Sequence, residues 1–245
     1  MSSIPDLLRA SVLLYRSHAK LFVGYASWLL LSYAAIVLAT LIPNEGVRMG
    51  LGIAIQLADG LLWLWISVIM VVLVRQIERK KEIDTNVVPL YALSVLGSYA
   101  WVGILQALTI AGGLLLFVVP GVILLIWFGF APQALLLDGK TGLDALSASR
   151  DLAKGRFWAT AKIQLGGPIL CFGAYLGALA AIYFLIARLT HVPLDVIFGE
   201  NPPLWADMLE TVGNIFLLPL LSIYGVLAYR EMKGVDISKP TESNS

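Results

Sequence analysis

Residues 101–137 read WVGILQALTIAGGLLLFVVPGVILLIWFGFAPQALLL, and no charge interrupts them. The uncharged run is longer still, covering the 53 positions between Asp84 and Asp138. As one helix, residues 101–137 would measure about 55 Å at about 1.5 Å per residue, far more than the ~30 Å hydrocarbon layer needs. Pro120-Gly121 offers a break, because proline removes a backbone donor and glycine turns freely. The reading is therefore two spans, about 99–119 and 121–137, with Pro120 and Gly121 as the structural residues of a tight turn. A single crossing would put Lys140, Arg150, Lys154, Arg156 and Lys162 on the opposite side from the other basic clusters; a hairpin keeps all of them together. The turn Val118-Val119-Pro120-Gly121 has no polar side chain to hold it among headgroups, so the hairpin is expected to stay partly submerged.

The rest of the charge pattern agrees with the hairpin. All but two of the 17 Lys and Arg residues fall in four alternate stretches. These hold Arg9, Arg16 and Lys20; then Arg75, Arg79, Lys80 and Lys81; then Lys140 to Lys162; and finally Arg230, Lys233 and Lys239. Only Arg48 and Arg188 lie between them. Membrane proteins retain Lys and Arg on the cytoplasmic side, so this alternation predicts six crossings with both termini cytoplasmic. The expected fold is all-α, an integral membrane bundle of six transmembrane helices in the inner (plasma) membrane. The remaining spans are about 21–42, 53–74, 163–187 and 204–229. The first is too long for the ~7–15-residue core of a cleaved signal peptide. The tail from Arg230 is polar, and disorder is expected over 234–245.

Composition narrows the function classes. Of 245 residues, 59% are apolar and 13% charged, where soluble domains carry about a quarter charged. A net charge of +1, spread by topology instead of gathered in one patch, gives no reason to expect nucleic acid. Cys171 is the only cysteine, so no internal disulfide forms. The longest inside loop, about 138–162, leaves no room for a separate soluble domain.

Three segments look helical yet too polar or short to span. In the first, Arg9, Arg16 and Lys20 share one helix face and Ile4, Leu7, Leu8, Leu14 and Tyr15 the opposite one. The second is 87–98, with Pro89 in a helical first turn. In the third, Thr141-Gly142-Leu143-Asp144 has capping-box spacing, and Ala145, Leu146, Leu152 and Ala153 oppose Asp144, Ser147, Asp151 and Lys154. Each is expected to lie in the cytoplasmic interface as an amphipathic helix with its apolar side toward acyl chains. Each precedes a pair of spans, which suggests three repeats of interfacial helix plus hairpin.

The Pro120-Gly121 turn, followed by Ala145, Ser149, Leu152, Lys154, Gly155, Phe157 and Trp158 in an "Ala … Ser-x-x-Leu-x-Lys-Gly-x-Phe-Trp" pattern, resembles a known family. It is the membrane-domain family named after glycerophosphoryl diester phosphodiesterases, together with related six-helix bacterial inner-membrane proteins. The resemblance covers about forty residues and implies a six-helix membrane domain, which in some members precedes a phosphodiesterase domain. No such catalytic domain is expected within these 245 residues, since His18 and His191 are too few for its metal- and His-based chemistry. The same loop partly resembles the coupling helix of ATP-driven importer permeases, with Arg150 where glycine is expected.

Arg150, Lys154, Arg156 and Trp158 are the candidate lipid or interface residues: cations reach phosphates while tryptophan sits at headgroup depth. Asp59 and Glu210 are the candidate intramembrane polar residues, each costing at least about 2.5 kcal/mol to insert. Gln56 stands one turn before Asp59 and Asn214 one turn after Glu210, with Arg188, His191 and Asp207 at the same level. One reading makes these a proton- or cation-linked site. The favoured one pairs Asp59 with Arg188 or an amide and leaves the other acids at the interface on a helix N-terminus. Gly173-x-x-x-Gly177 with Ala181 is read as ordinary close packing of span five, a homodimer face being the lesser reading. Pro132, Pro168 and Pro219 are expected to kink spans four, five and six.

The expected function is a non-enzymatic lipid-organising or interaction module; the alternative is a proton- or cation-linked transporter or permease component. An enzyme would gain weight if Asp59, Glu210, His191 and Asp207 converged on one cavity. No cofactor or metal is expected. The expected partners are membrane lipids, with a homo-oligomer or membrane partner protein left open.

Overall fold

The computed structural model describes residues 3–79, 84–199 and 203–234, and among these it has eleven helices and no strand. In order they are α1 Ile4–Ser17, α2 Ala19–Ala26, α3 Leu29–Thr40, α4 Glu45–Glu78, α5 Val87–Leu116 and α6 Val118–Phe128. Then follow α7 Ala131–Asp138, α8 Gly142–Ala153, α9 Phe157–Thr190, α10 Leu194–Ile197 and α11 Leu204–Met232. Six stretches are long and apolar enough to cross a membrane: Ala19–Thr40, α4, α5, Val118–Asp138, α9 and α11. Lys80, Lys81, Lys239 and the expected disordered tail beyond Gly234 lie outside the described residues.

The long apolar run that decides the topology does fold as two packed helical arms, but the chain turns at Phe117. That residue alone is extended (φ −164°, ψ 157°), while Pro120 and Gly121 sit in the first turn of α6. A proline is tolerated there because a first-turn N–H has no helical partner to lose. Gly121 serves close approach: a Cβ on it would stand 2.9 Å from the Leu114 backbone nitrogen, and one on Gly113 only 3.0 Å from the Gly121 Cα. The expected separate helix over 87–98 is likewise absent, since α5 runs unbroken from Val87 with Pro89 in its first turn. Nothing between Pro89 and Phe117 interrupts the backbone, so the second copy of the proposed repeat is not distinct.

The helices sort into two units. The first comprises Leu64–Pro168 with the chain up to Ser17 and from Leu220 onward. Its core is α4, where every residue from Ile66 to Val74 is buried, as befits a helix that is apolar all round. Tyr224 of α11 is 1% exposed and donates its hydroxyl to the Ile163 carbonyl of α9 at 2.6 Å. Two basic residues pin backbone: Arg75 donates to the Leu136 carbonyl at 3.1 Å and Arg156 to that of Met232 at 3.2 Å. Arg230, expected in the tail, is helical and pairs with Glu78 at 2.9 Å. Asp138 accepts from the Tyr229 hydroxyl and from Lys233 at 2.8 Å.

The second unit holds His18–Trp63 and Ile169–Pro219. There Tyr183, Ile197 and Ala206 form a small core, with Tyr183 edge-on to Phe198 and Trp205 at 5.5 and 5.9 Å. Tyr33 donates to the Leu204 carbonyl at 2.9 Å. Gly173 and Gly177 are not packing residues within the chain: a Cβ on either would meet nothing within 4 Å, and Ala181 is exposed. That corrects the reading of the stripe as ordinary internal packing.

Candidate functional site

The junction of α7, α8 and α9 is built by local chemistry. α7 ends in a left-handed Gly139 (φ 71°), whose N–H bonds Leu135 O at 3.0 Å while Lys140 N bonds Ala134 O at 3.2 Å. This Schellman-type close satisfies the last carbonyls and turns the chain toward α8. The expected capping box at α8 is not formed. Thr141 makes no side-chain cap bond, and the Asp144 N–H instead reaches the Thr141 carbonyl at 3.0 Å. Gly142 enters α8 at φ 51°, a backbone turn that supplants the side-chain cap. A capping box does form at α1: Asp6 accepts from the N–H and hydroxyl of Ser3, and its own N–H points back to Ser3 Oγ. These Ser3 hydrogen bonds hold the Asp6 carboxyl below its ordinary pKa. The Ser3-x-x-Asp6 spacing was readable and was missed.

α8 buries Ala145, Leu146, Ser149 and Ala153 within its unit, and α1 buries Leu7 at 1% exposure. Part of the apolar side of each helix thus packs on the protein, while Leu13 and Leu143 stay exposed. Burial of α8 is fixed by the break between α6 and α7. Pro132 lacks the N–H that Phe128 O would accept, and its ring crowds that carbonyl, so the helix opens after Phe128. Ser149, fully buried, bridges the gap: its hydroxyl donates to Trp127 O at 2.7 Å and accepts from Phe130 N at 3.0 Å. Pro168 and Pro219 instead lie inside α9 and α11, which continue through them.

One residue after Ser149, the Arg150 guanidinium lies over the Trp127 ring, 5.0 Å from its centroid. Lys154 is extended, Gly155 reverses the chain at φ 74°, and α9 starts at Phe157. Together Ile123, Trp127, Phe157, Arg150, Asp151 and Lys154 line much of a cavity of about 490 Å³. The four residues singled out from sequence therefore part company. Arg150 and Lys154 share this cavity, Arg156 binds Met232 O, and Trp158 projects outward at 75% exposure, edge-on to Phe157. Trp127 and Ile123 were missed because they lie in the preceding span, where sequence periodicity only says apolar.

The second unit contains a polar cavity of about 270 Å³. Asp207, Glu210, Thr211 and Asn214 reach it from one face of α11, Asp59 and Trp63 from α4, and Ser32 and Tyr33 from α3. Glu210 is held from α9: its carbonyl accepts from Tyr175 at 3.4 Å and its carboxylate from Tyr183 at 3.4 Å. The favoured pairing of Asp59 with Arg188 is not formed; among the described residues Asp59 has no ion pair, and Arg188 is exposed elsewhere. Gln56 and His191 do not line the cavity, and His191 is exposed with a left-handed φ of 56°. Among the described residues no group of three or more His, Cys, Asp or Glu side chains is placed to hold a metal.

Six apolar helices define a multi-pass α-helical membrane protein. No family model, no curated protein and no solved structure matches the chain.

Proposed function

We propose that the chain is a non-enzymatic, lipid-organising module of a bacterial inner membrane, with both termini and the α8–α9 junction on the cytoplasmic side. The observation that carries this is the cavity where Arg150 and Lys154 meet an apolar wall of Ile123, Trp127 and Phe157. Two cations beside an apolar wall suit an amphiphile with an anionic head, and exposed Trp158 next to them suits headgroup depth. The alternation of basic clusters supports the sidedness. The pattern from Ala145 to Trp158 favours membership of the membrane-domain family described above, without its phosphodiesterase activity.

Each cation near a lipid surface is worth about 1 kcal/mol. The double variant Arg150→Gln, Lys154→Gln should therefore bind phospholipid roughly thirty-fold more weakly, since about 1.4 kcal/mol is tenfold. Native mass spectrometry of the detergent-solubilised protein counts the retained lipid adducts; unchanged retention overturns the proposal.

A second reading, cation- or proton-linked transport, is favoured by one observation: Asp59, Asp207 and Glu210 line a single cavity, with no Lys or Arg on its walls among the described residues. Carboxylates kept at membrane depth mark ion paths in many transporters. On this reading proteoliposomes carry a pH- or Na⁺-driven solute flux that Asp59→Asn and Glu210→Gln each reduce at least about tenfold, the loss of about 1.4 kcal/mol of cation stabilisation. Flux that both variants leave intact removes the reading.

A further inference from the structure

Resting on the lipid-binding reading, we infer that the α8–α9 cavity selects a phospholipid whose headgroup carries its own hydrogen-bond donor beside the phosphodiester. Asp151 carries the argument. It shares the cavity with Arg150 and Lys154, so the walls bring two positive charges and one negative. The two cations face the phosphodiester's single negative charge, and Asp151 is left to a group that can meet a carboxylate. Binding phosphate alone would leave the Asp151 carboxylate facing another anion. A carboxylate only accepts hydrogen bonds, so the group that completes this site is a donor: a primary ammonium or a hydroxyl a few bonds from the phosphate.

Geometry assigns the remaining parts. Arg150 is oriented by the Trp127 ring at 5.0 Å, and stacking on one face leaves the guanidinium edge free to fork onto phosphate oxygens. Lys154 supplies a second, mobile donor to the same oxygens. Ile123 and Phe157 then cover the glycerol end. Ile123 belongs to the span Val118–Asp138, so the apolar wall is continuous with a membrane-crossing helix, which favours a lipid over a soluble phosphate. The cavity, at about 490 Å³, falls in the ~300–1,000 Å³ range of small-ligand sites and far exceeds the room a lone phosphate needs.

The test is native mass spectrometry of the full chain in detergent, with phosphatidylethanolamine, phosphatidylglycerol and phosphatidylcholine of identical acyl chains at equal concentration. The expected result is at least fivefold more ethanolamine and glycerol lipid retained than choline lipid, whose quaternary ammonium donates no hydrogen bond. Asp151 is exposed, so Asp151→Asn should keep the thermal midpoint while erasing that preference. Equal retention of all three lipids, or a preference that survives Asp151→Asn, overturns the headgroup inference and leaves lipid binding standing. Retention unaltered by Arg150→Gln with Lys154→Gln overturns lipid binding itself. Inorganic phosphate or phosphoethanolamine at millimolar concentration should displace nothing; displacement would assign the cavity to a soluble ligand and overturn the inference.

Discussion

Gly167→Ala is expected to lower the stability of the detergent-solubilised protein by roughly 1–3 kcal/mol, the usual range for overpacking a filled core. A Cβ on Gly167 would come within 2.1–2.4 Å of three atoms of the Tyr224 ring. That ring is 1% exposed and its hydroxyl is fixed on Ile163 O, so it has no free direction in which to move. The informative control is Gly173→Ala in the same helix. Its Cβ would meet nothing within 4 Å, and alanine is the better helix former by about 1 kcal/mol. A thermal scan of both variants should show a marked fall for Gly167→Ala and no fall for Gly173→Ala. Equal behaviour would mean that α9 does not meet α11 at Gly167.

Ser149→Ala is the second large effect. Removing the hydroxyl strands the part-buried Trp127 O and the buried Phe130 N, the latter at roughly 1–3 kcal/mol for a buried group left unpaired. Because Ser149 also seats α8 against the α6–α7 break, Arg150 should lose its position over Trp127, and lipid retention should fall together with the thermal midpoint. Ser147→Ala, on the exposed side of α8, should change stability by no more than about 0.5 kcal/mol. If Ser149→Ala melts like wild type, the bridge across the helix break is not structural.

The crossings were legible because hydropathy and charge are properties of single residues, and a bilayer reads them one segment at a time. The six apolar stretches lie where the runs around 21–42, 53–74, 99–137, 163–187 and 204–229 put them. What went astray were features decided between residues. Pro120-Gly121 looked like a corner, yet proline is harmless in a first helical turn and the extended residue proved to be Phe117. Gly173 and Gly177 matched a packing motif by spacing alone, but nothing in the spacing says whether a neighbour comes near; Gly167 and Gly213, outside any motif, are the glycines of α9 and α11 lying against Tyr224 and Tyr175.

The sites divide in the same way. Arg150 and Lys154 could be picked out by charge, and their joint cavity follows from one turn of α8. Trp127 could not, because it meets Arg150 only after Pro132 opens the helix and Ser149 closes the gap. Asp59 and Glu210 stood out as acids within apolar runs, and they do line one cavity. The expected partner Arg188 failed to appear since sharing a depth in the membrane does not place two side chains on facing surfaces.

Half of the residues in the most apolar stretch of α4 and of α11 are buried, against 11% for α5 and 6% for α9. In a bilayer the exposed flank of such a span faces acyl chains, and hydrocarbon offers it no hydrophobic incentive to leave them for other helices. Beside apolar contacts such as Tyr224 against Gly167, α9 is fastened by polar ties: Tyr224 on Ile163, Gln164 on Leu125 and Tyr183 on Ala206, with Arg156, just before it, on Met232. Threading and docking of this helix are thus separable events. Apolar replacements along its outer flank should leave both intact, whereas severing the ties would yield a correctly threaded chain with one span adrift, a defect invisible to any assay that reports only which side each loop occupies.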